Sequence, residues 1–212
     1  MTKQYPIAKE GWIFILPLLV LTIIVYLLAR WWMLVPGVLV VFTAFFFRNP
    51  TRAVPDIEGV IVAPADGVVM AVEDAYEDKY IDKDSVRVSI FLSIFNVHIN
   101  RTPVEGKVEY VERIPGKFMP AYKSEAGFWN AKNCLGLDTR WGKVLVVQIT
   151  GLIARRIVCW AKEGDILSTG ERYGLIRFGS CTEVFLPKNV QLNVKPGDKV
   201  KGGKTILGRF YD

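Results

Sequence analysis

The chain has 212 residues, of which 51% are hydrophobic, and a formal net charge of +6. Its single histidine excludes a metal site built on several histidines, and its three scattered cysteines match neither a zinc pair nor a disulfide framework, so we expect no metal and a reducing compartment. The basic charge suits an anionic membrane surface, whereas the absence of an arginine-rich run or a nucleic-acid motif argues against nucleic acid as a partner.

The first fifty residues contain two uncharged apolar runs, 11–29 and 31–47, which Arg30 separates. The first is about long enough to cross a hydrocarbon core of roughly 30 Å. Two cores with bulky flanks do not match a cleaved signal peptide. Residues 1–52 are therefore predicted to form an N-terminal membrane hairpin.

Basic residues flank the pair of runs on both sides, at Lys3, Lys9, Arg48 and Arg52. If both runs cross, the positive-inside tendency places both ends, and the domain that follows, on the cytoplasmic side of the cell membrane. The Pro-Gly pair at 36–37 favours the alternative of a shallow re-entrant hairpin. Either form attaches the chain to a membrane.

Residues 53–212 are predicted to form a mainly β (β-rich α+β) domain, because short apolar stretches alternate with Gly, Pro and Asp turns. The predicted strands cover residues 59–63, 67–72, 85–92, 106–111, 144–149, 157–161 and 182–186. Residues 117–133 are predicted to form a short helix or an ordered loop.

A turn motif occurs twice in this domain: KEGD at 162–165 is followed by Gly170, and KPGD at 195–198 is followed by Gly203. The repeat predicts a pseudo-symmetric barrel or sandwich. The pattern is similar to the turn-rich hammerheads of lipoyl- and biotinyl-carrier domains.

Three segments combine chemically capable residues. The APADG segment at 63–67 is strong turn chemistry, so a structural role is the first explanation for it. Residues 95–103 surround His98 with polar side chains where a predicted strand gives way to a turn, and histidine is the natural proton carrier near neutral pH. Residues 171–180 end in Gly179-Ser180. Glycine leaves its carbonyl unhindered, and an adjacent serine hydroxyl attacks that carbonyl once a base removes its proton.

In order along the chain, APADG, then FNVHINRTP, then ERYGLIRFGS resemble the landmarks of the short prokaryotic, membrane-anchored phosphatidylserine decarboxylases. The resemblance covers nearly the whole chain, including FFRNPTR at 46–52, where the hairpin meets the second domain.

This resemblance implies an Asp66–His98–Ser180 triad that cleaves its own backbone. Asp66 would orient His98, and His98 would deprotonate Ser180, which attacks the Gly179 carbonyl. The products are a chain of residues 1–179 and a chain of residues 180–212 that begins with a covalent pyruvoyl group. The two chains stay together as a heterodimer.

The resemblance also implies the reaction. The pyruvoyl group, the only cofactor expected, forms a Schiff base with phosphatidylserine, carbon dioxide leaves, and phosphatidylethanolamine is released. The membrane is the expected partner because a diacyl lipid stays in the bilayer. An exposed aromatic membrane segment also suits a homo-oligomer.

Two features depart from the pattern. Longer relatives carry a second histidine where Arg101 stands here, so either His98 does all the imidazole chemistry or Arg101 takes an electrostatic share. Short relatives tend to carry Glu-Asn-Glu-Arg in the middle loop, whereas residues 124–133 read SEAGFWNAKN.

Two other functions stay open from the sequence. One is a non-catalytic membrane scaffold, which offers no reason for Asp66, His98 and Gly179-Ser180 to occur together. The other is a decarboxylase of a related serine lipid such as archaetidylserine, for which the chemistry would be the same.

Overall fold

The computed structural model describes residues 5–121, 125–152, 156–177 and 180–211. The chain divides into two compact units, Met1–Thr51 and Arg52–Asp212.

The first unit is a helical hairpin. Helix α1 (Trp12–Ala29) and helix α2 (Leu34–Phe46) are joined by a 3-10 turn at Arg30–Met33. The two ends meet, because Ile7 and Arg48 form an antiparallel bridge and the Ala8 N–H donates to the Phe47 carbonyl at 2.8 Å. Gly11 allows this approach, since a Cβ there would lie 2.7 Å from the Phe47 Cβ. The predicted hairpin is thus confirmed.

The hairpin has the apolar surface of a membrane segment. The helical stretch Lys9–Phe46 is long and apolar enough to cross a membrane, and very little of its most apolar part is buried. Trp31 and Trp32 are exposed in the turn between the helices. A hairpin this apolar has no core of its own to bury its side chains, so they face outward.

The second unit is mainly β, as its turn-rich sequence predicts. A short helix, α3 (Ala126–Trp129), lies in the stretch predicted to hold a short helix or loop. The strands are β1 (Val60–Val62), β2 (Gly67–Glu77), β3 (Lys83–Leu92), β4 (Ile99–Arg101), β5 (Gly106–Ile114), β6 (Lys132–Thr139), β7 (Gly142–Ile149), β8 (Arg156–Cys159), β9 (Ile166–Leu167), β10 (Arg172–Arg177), β11 (Ser180–Pro187), β12 (Val190–Leu192), β13 (Lys199–Val200) and β14 (Ile206–Phe210).

These strands form three antiparallel sheets. A curled sheet has the order β13-β2-β3-β11-β7-β6-β5-β9, and two small sheets have the orders β1-β14-β12 and β4-β10-β8. One apolar core joins them: Ile61 of β1 and Leu207 of β14 pack with Ile90 and Val184 of the curled sheet, and all four are fully buried. Burying side chains between facing sheets is the main stabilising contribution in such a fold.

The fold is pseudo-symmetric about the β11–β7 pair, in agreement with the repeated turn motif. Strands β3, β2 and β13 on one side match β6, β5 and β9 on the other, and the two small sheets match each other. The two KxGD turns make the same contact, because the Gly164 N–H donates to the Val108 carbonyl and the Gly197 N–H to the Val69 carbonyl, both at 2.8 Å.

One half of the fold is inserted into the other. Strands β6 and β7 are joined by a tight turn, but the matching strands β3 and β11 are separated by the whole second half, β4 to β10. The chain leaves the first half after Leu92 and re-enters it at Ser180, and these two residues pair across β3 and β11. The exit and the return of the inserted half therefore lie side by side.

Candidate functional site

Ser180 lies at the return point. It is the first residue of β11 and is fully buried. Its Oγ has no hydrogen-bond partner within the part of the chain that the structure describes. A buried hydroxyl without a partner costs about 1–3 kcal/mol, and such groups are concentrated at reactive sites. Gly179, the other half of the predicted cleavage site, lies outside the described residues.

His98 lies at the exit point, immediately before β4, and is 2% exposed. Its Nδ1 is 3.0 Å from the carbonyl oxygen of Asn96. Because a carbonyl only accepts, Nδ1 must carry the hydrogen, and in the neutral ring the lone pair is then on Nε2. That tautomer is the one in which Nε2 acts as a base.

Hydrogen bonds connect His98 to β10 and connect β4 to β11. The His98 carbonyl accepts a hydrogen bond from the N–H of Ile176 at 3.2 Å, four residues before Ser180 along the chain. Two residues further along each strand, Asn100 Nδ2 donates to Thr182 Oγ1 at 2.9 Å. Side chains two apart share a face of a strand, so Ser180 lies on the same face of β11 as Thr182, the residue that β4 contacts through Asn100.

Asp66 lies in the turn between β1 and β2 and is largely buried. Its carboxylate accepts hydrogen bonds from Arg52 Nη2 at 2.8 and 3.1 Å and from the Gly202 N–H at 2.8 Å. The structure thus joins Asp66 to Arg52 and Gly202.

Arg101 connects the Asp66 turn to β4. Its backbone N–H donates to the Pro64 carbonyl at 2.8 Å, and its Nη1 donates to the Gly170 carbonyl at 2.9 Å. The side chain passes so close to Gly203 that a Cβ there would lie 2.7 Å from its Cδ, so glycine is needed at 203.

Burial, together with the charges of Arg172 and Arg52, lowers the pKa of Arg101 to about 10, and the charge of Asp66 opposes this shift. A group with that pKa keeps its proton at neutral pH. Arg101 is consequently a fixed positive charge and does not replace a histidine as a proton carrier.

A buried row of polar side chains supports β4 and was missed in the sequence. Thr182, Gln148 and Asn133 are aligned across β11, β7 and β6, and all three are fully buried together with Asn100. Asn133 Nδ2 donates to Gln148 Oε1 at 3.1 Å, and Gln148 Nε2 donates to Asn100 Oδ1 at 2.9 Å. The one available signal was an isolated polar residue in each apolar strand, such as Gln148 in VLVVQI.

Replacing Gln148 with leucine should destabilise the protein, because Asn100 Oδ1 and Asn133 Nδ2 both lose the hydrogen-bond partner described for them. We expect the free energy of unfolding to fall by about 2–4 kcal/mol. Urea unfolding in detergent measures the loss. Gln191→Leu on the exposed face of β12 is the matched control and should change stability by less than about 0.5 kcal/mol. Equal stability of the Gln148 and Gln191 variants would show that the row contributes nothing.

The cysteines are poor candidates for nucleophiles. Burial raises the pKa of Cys134 to about 12 and that of Cys181 well above its usual value, so both stay protonated. Among the described residues no group of three or more His, Cys, Asp or Glu side chains is placed to hold a metal ion.

Comparison with known proteins identifies the family of this chain. The sequence model of the family described as phosphatidylserine decarboxylase matches residues 39–208. The phosphatidylserine decarboxylase proenzyme of Carboxydothermus hydrogenoformans is 50% identical over 211 residues, which is 99% of each chain. The proenzyme of Symbiobacterium thermophilum is 47% identical over 206 residues (96% of this chain and 95% of the relative), and that of Geotalea uraniireducens is 51% identical over 209 residues (97% of each). The match includes both the hairpin and the β-rich unit, and the chain therefore belongs to the phosphatidylserine decarboxylase family.

Proposed function

We propose that this protein is a pyruvoyl-dependent decarboxylase that converts phosphatidylserine to phosphatidylethanolamine after cleaving itself between Gly179 and Ser180. The observation that carries the proposal is the buried hydroxyl of Ser180, which has no hydrogen-bond partner among the described residues, at the point where the chain returns from its inserted half. The names of the relatives support it, since each is a decarboxylase called a proenzyme.

In the proposed maturation His98 is the base. With the hydrogen on Nδ1 held by the Asn96 carbonyl, Nε2 removes the proton of Ser180 Oγ. The Oγ attacks the Gly179 carbonyl, and the peptide bond becomes an ester as the amide nitrogen is released. Elimination frees the carboxylate of Gly179 and leaves a dehydroalanine at 180, and addition of water with loss of ammonia converts this residue to pyruvoyl.

Asp66 is the third member of the proposed site. Its turn is hydrogen-bonded to β4 through Pro64 and Arg101, so the carboxylate is held beside the strand that begins one residue after His98. A negative charge there favours the imidazolium that forms when His98 takes the proton. Arg52 and the Gly202 N–H keep the carboxylate in place.

The position of Ser180 fits a pyruvoyl group, because a fully buried residue whose Oγ has no hydrogen-bond partner among the described residues suits a small, reactive carbonyl. Once formed, the group supplies a carbonyl that binds the substrate amine and accepts the electrons released with carbon dioxide. In this proposal His98 returns a proton to the substrate carbon.

Intact mass measurement under denaturing conditions tests the proposal. We expect two chains, residues 1–179 with a normal carboxyl end and residues 180–212 with a pyruvoyl mass in place of serine. A single full-length chain without decarboxylase activity would support the alternative of a non-catalytic membrane scaffold. Assays with phosphatidylserine and archaetidylserine separate the two lipid substrates.

We further propose that the hairpin anchors the enzyme to the cytoplasmic membrane, with the β-rich unit in the cytoplasm. The apolar, exposed stretch Lys9–Phe46 supports attachment, and the basic residues at both of its ends favour the cytoplasmic orientation. Anchoring places the enzyme where its lipid substrate is confined.

The anchor predicts resistance to extraction. The full chain should stay in the membrane pellet after alkaline carbonate washing, and Val20→Lys in the middle of α1 should release a substantial part, because lysine at a helix centre costs about 2.5–3.5 kcal/mol on insertion. Immunoblotting of pellet and supernatant measures the distribution. Thr51→Lys, outside the apolar runs, is the control; release of the unaltered chain by carbonate would contradict an integral anchor.

A further inference from the structure

Ser180 lies at one end of the curled sheet, where several strands begin or end, and strand register shows which residues are found there. Leu92 at the end of β3 pairs with Ser180, Cys181 pairs with Ile149 at the end of β7, and Ile149 pairs with Lys132 at the start of β6. We use the name Ser180 rim for four loops at this end of the sheet, residues 93–98, 115–121, 125–131 and 150–152.

The Ser180 rim carries five exposed large apolar side chains, between 40% and 73% exposed: Phe95, Phe118, Phe128, Trp129 and Leu152. They come from different loops that are tied together. The Lys117 N–H donates to the Trp129 carbonyl at 2.6 Å, and the Thr150 N–H donates to the Ala131 carbonyl at 3.0 Å. Backbone hydrogen bonds between the loops therefore hold these apolar side chains at the Ser180 end of the sheet.

The rest of this unit lacks such a set. Its other exposed large apolar residues are Ile57, Tyr76, Ile166 and Tyr211, so every exposed Phe or Trp among the described residues of Arg52–Asp212 belongs to the Ser180 rim. The opposite end of the curled sheet contains the turns at 78–82 and 140–141. This end is rich in charged side chains instead. A concentration of exposed aromatic side chains at one end of the sheet marks an interaction surface.

Basic residues accompany these aromatic rings. Lys117 Nζ lies 5.0 Å above the ring of Trp129, Lys132 Nζ donates to the Gly127 carbonyl at 2.7 Å, and Arg156 is exposed where β8 begins. Glu125 is the acidic residue of the described rim loops. Aromatic rings together with Lys and Arg are the composition of surfaces that enter the headgroup layer of an anionic bilayer.

We propose that the Ser180 rim is a second membrane contact of this protein, in which Phe95, Phe128 and Trp129 enter the headgroup layer of an anionic lipid bilayer. The inference rests on the proposed function, since it supplies a lipid route: the headgroup of a bilayer lipid meets the Ser180 site without leaving the interface. The bilayer is favoured over a protein partner because the same chain carries an apolar stretch able to cross a membrane and the charge that accompanies the rings is basic.

Fluorescence quenching of the full chain in vesicles of phosphatidylcholine and phosphatidylserine tests the contact without any need for activity. An environment-sensitive dye is attached at Phe128→Cys and, as the matched control, at Ile166→Cys. Ile166 is exposed at the opposite end of the sheet. Brominated lipids should quench the dye at 128 at least about fivefold more than the dye at 166. Equal quenching at the two positions, or none at 128, would overturn the proposal and leave a protein partner as the occupant.

Kinetics provide the second readout. The double variant Phe128→Ser/Trp129→Ser should raise KM for phosphatidylserine in vesicles by about tenfold with kcat unchanged, because the lost interaction serves binding and not the chemical step. Its activity on a water-soluble short-chain phosphatidylserine should equal that of the unaltered chain, as should Ile166→Ser on both substrates. An unchanged KM in vesicles would overturn the rim proposal. Absence of decarboxylation of the soluble substrate by the unaltered chain would instead overturn the proposed function, and the quenching result would still decide on the rim.

Discussion

Replacing Ser180 with alanine should leave one chain of 212 residues, with no pyruvoyl group and no decarboxylation. Alanine lacks the Oγ that attacks the Gly179 carbonyl, and neither neighbour of Ser180, Gly179 or Cys181, carries a hydroxyl that could replace it. The loss of cleavage should exceed about 10³-fold, as for removal of a nucleophile in other self-activated sites. Intact mass after prolonged incubation measures it. The variant should fold, because the hydroxyl that is removed has no partner among the described residues.

Ser85→Ala is the matched control for that experiment. Ser85 is also fully buried on the β3–β11 pair, but at its far end, where it pairs with Pro187 and donates to the Ala75 carbonyl at 2.7 Å. Its loss should cost about 1 kcal/mol of stability and leave cleavage intact. Cleavage of the Ser180→Ala chain between residues 179 and 180 would refute the proposed maturation.

Replacing His98 with alanine should slow self-cleavage by about 10²–10⁴-fold, the usual contribution of a positioned general base. His98 is the only histidine of the chain, and Arg101 keeps its proton at neutral pH, so neither another imidazole nor the neighbouring guanidinium supplies a base. The measurement is the rate at which the full-length chain disappears after synthesis, followed by gel or mass.

Asn96→Ala is the control that distinguishes loss of the base from a disturbed loop conformation around His98. The Asn96 side chain accepts hydrogen bonds from the N–H and the hydroxyl of Ser93, both at 2.8 Å, whereas its backbone carbonyl is the group that orients His98. This variant disturbs the loop but keeps the carbonyl, so cleavage should stay within about tenfold of normal. If His98→Ala matured as fast as Asn96→Ala, the base would have to be another group, with the Asp66 carboxylate the next candidate.

Features with a local cause were predictable from the sequence. Uncharged apolar runs around Arg30 require an environment other than water, and their length indicated the hairpin. Alternation of apolar stretches with Gly, Pro and Asp turns indicated a mainly β domain, and the two KxGD turns indicated its pseudo-symmetry, because turn chemistry is read over four or five residues. Two of the strands that were missed, β9 and β13, have two residues each, which is too short for any periodicity. The longer strands β6, β10 and β14 were missed as well, and each contains an internal glycine that weakens the strand pattern.

The assembly of the site depended on the tertiary structure. The pairing of Leu92 with Ser180 joins residues far apart in sequence, and it follows from inserting one half of the fold into the other, for which no local pattern exists. The same holds for the row Asn133–Gln148–Asn100, whose members come from separate strands and are recognisable only once their burial and hydrogen bonds are known. The sequence by itself determined the residue types, the hairpin, the turns and the mainly β class. Only the packing of the two halves decided that Leu92 pairs with Ser180 and that β4, which follows His98, contacts β11, because long-range strand register is set by burial of a common core and not by the residues next to each site.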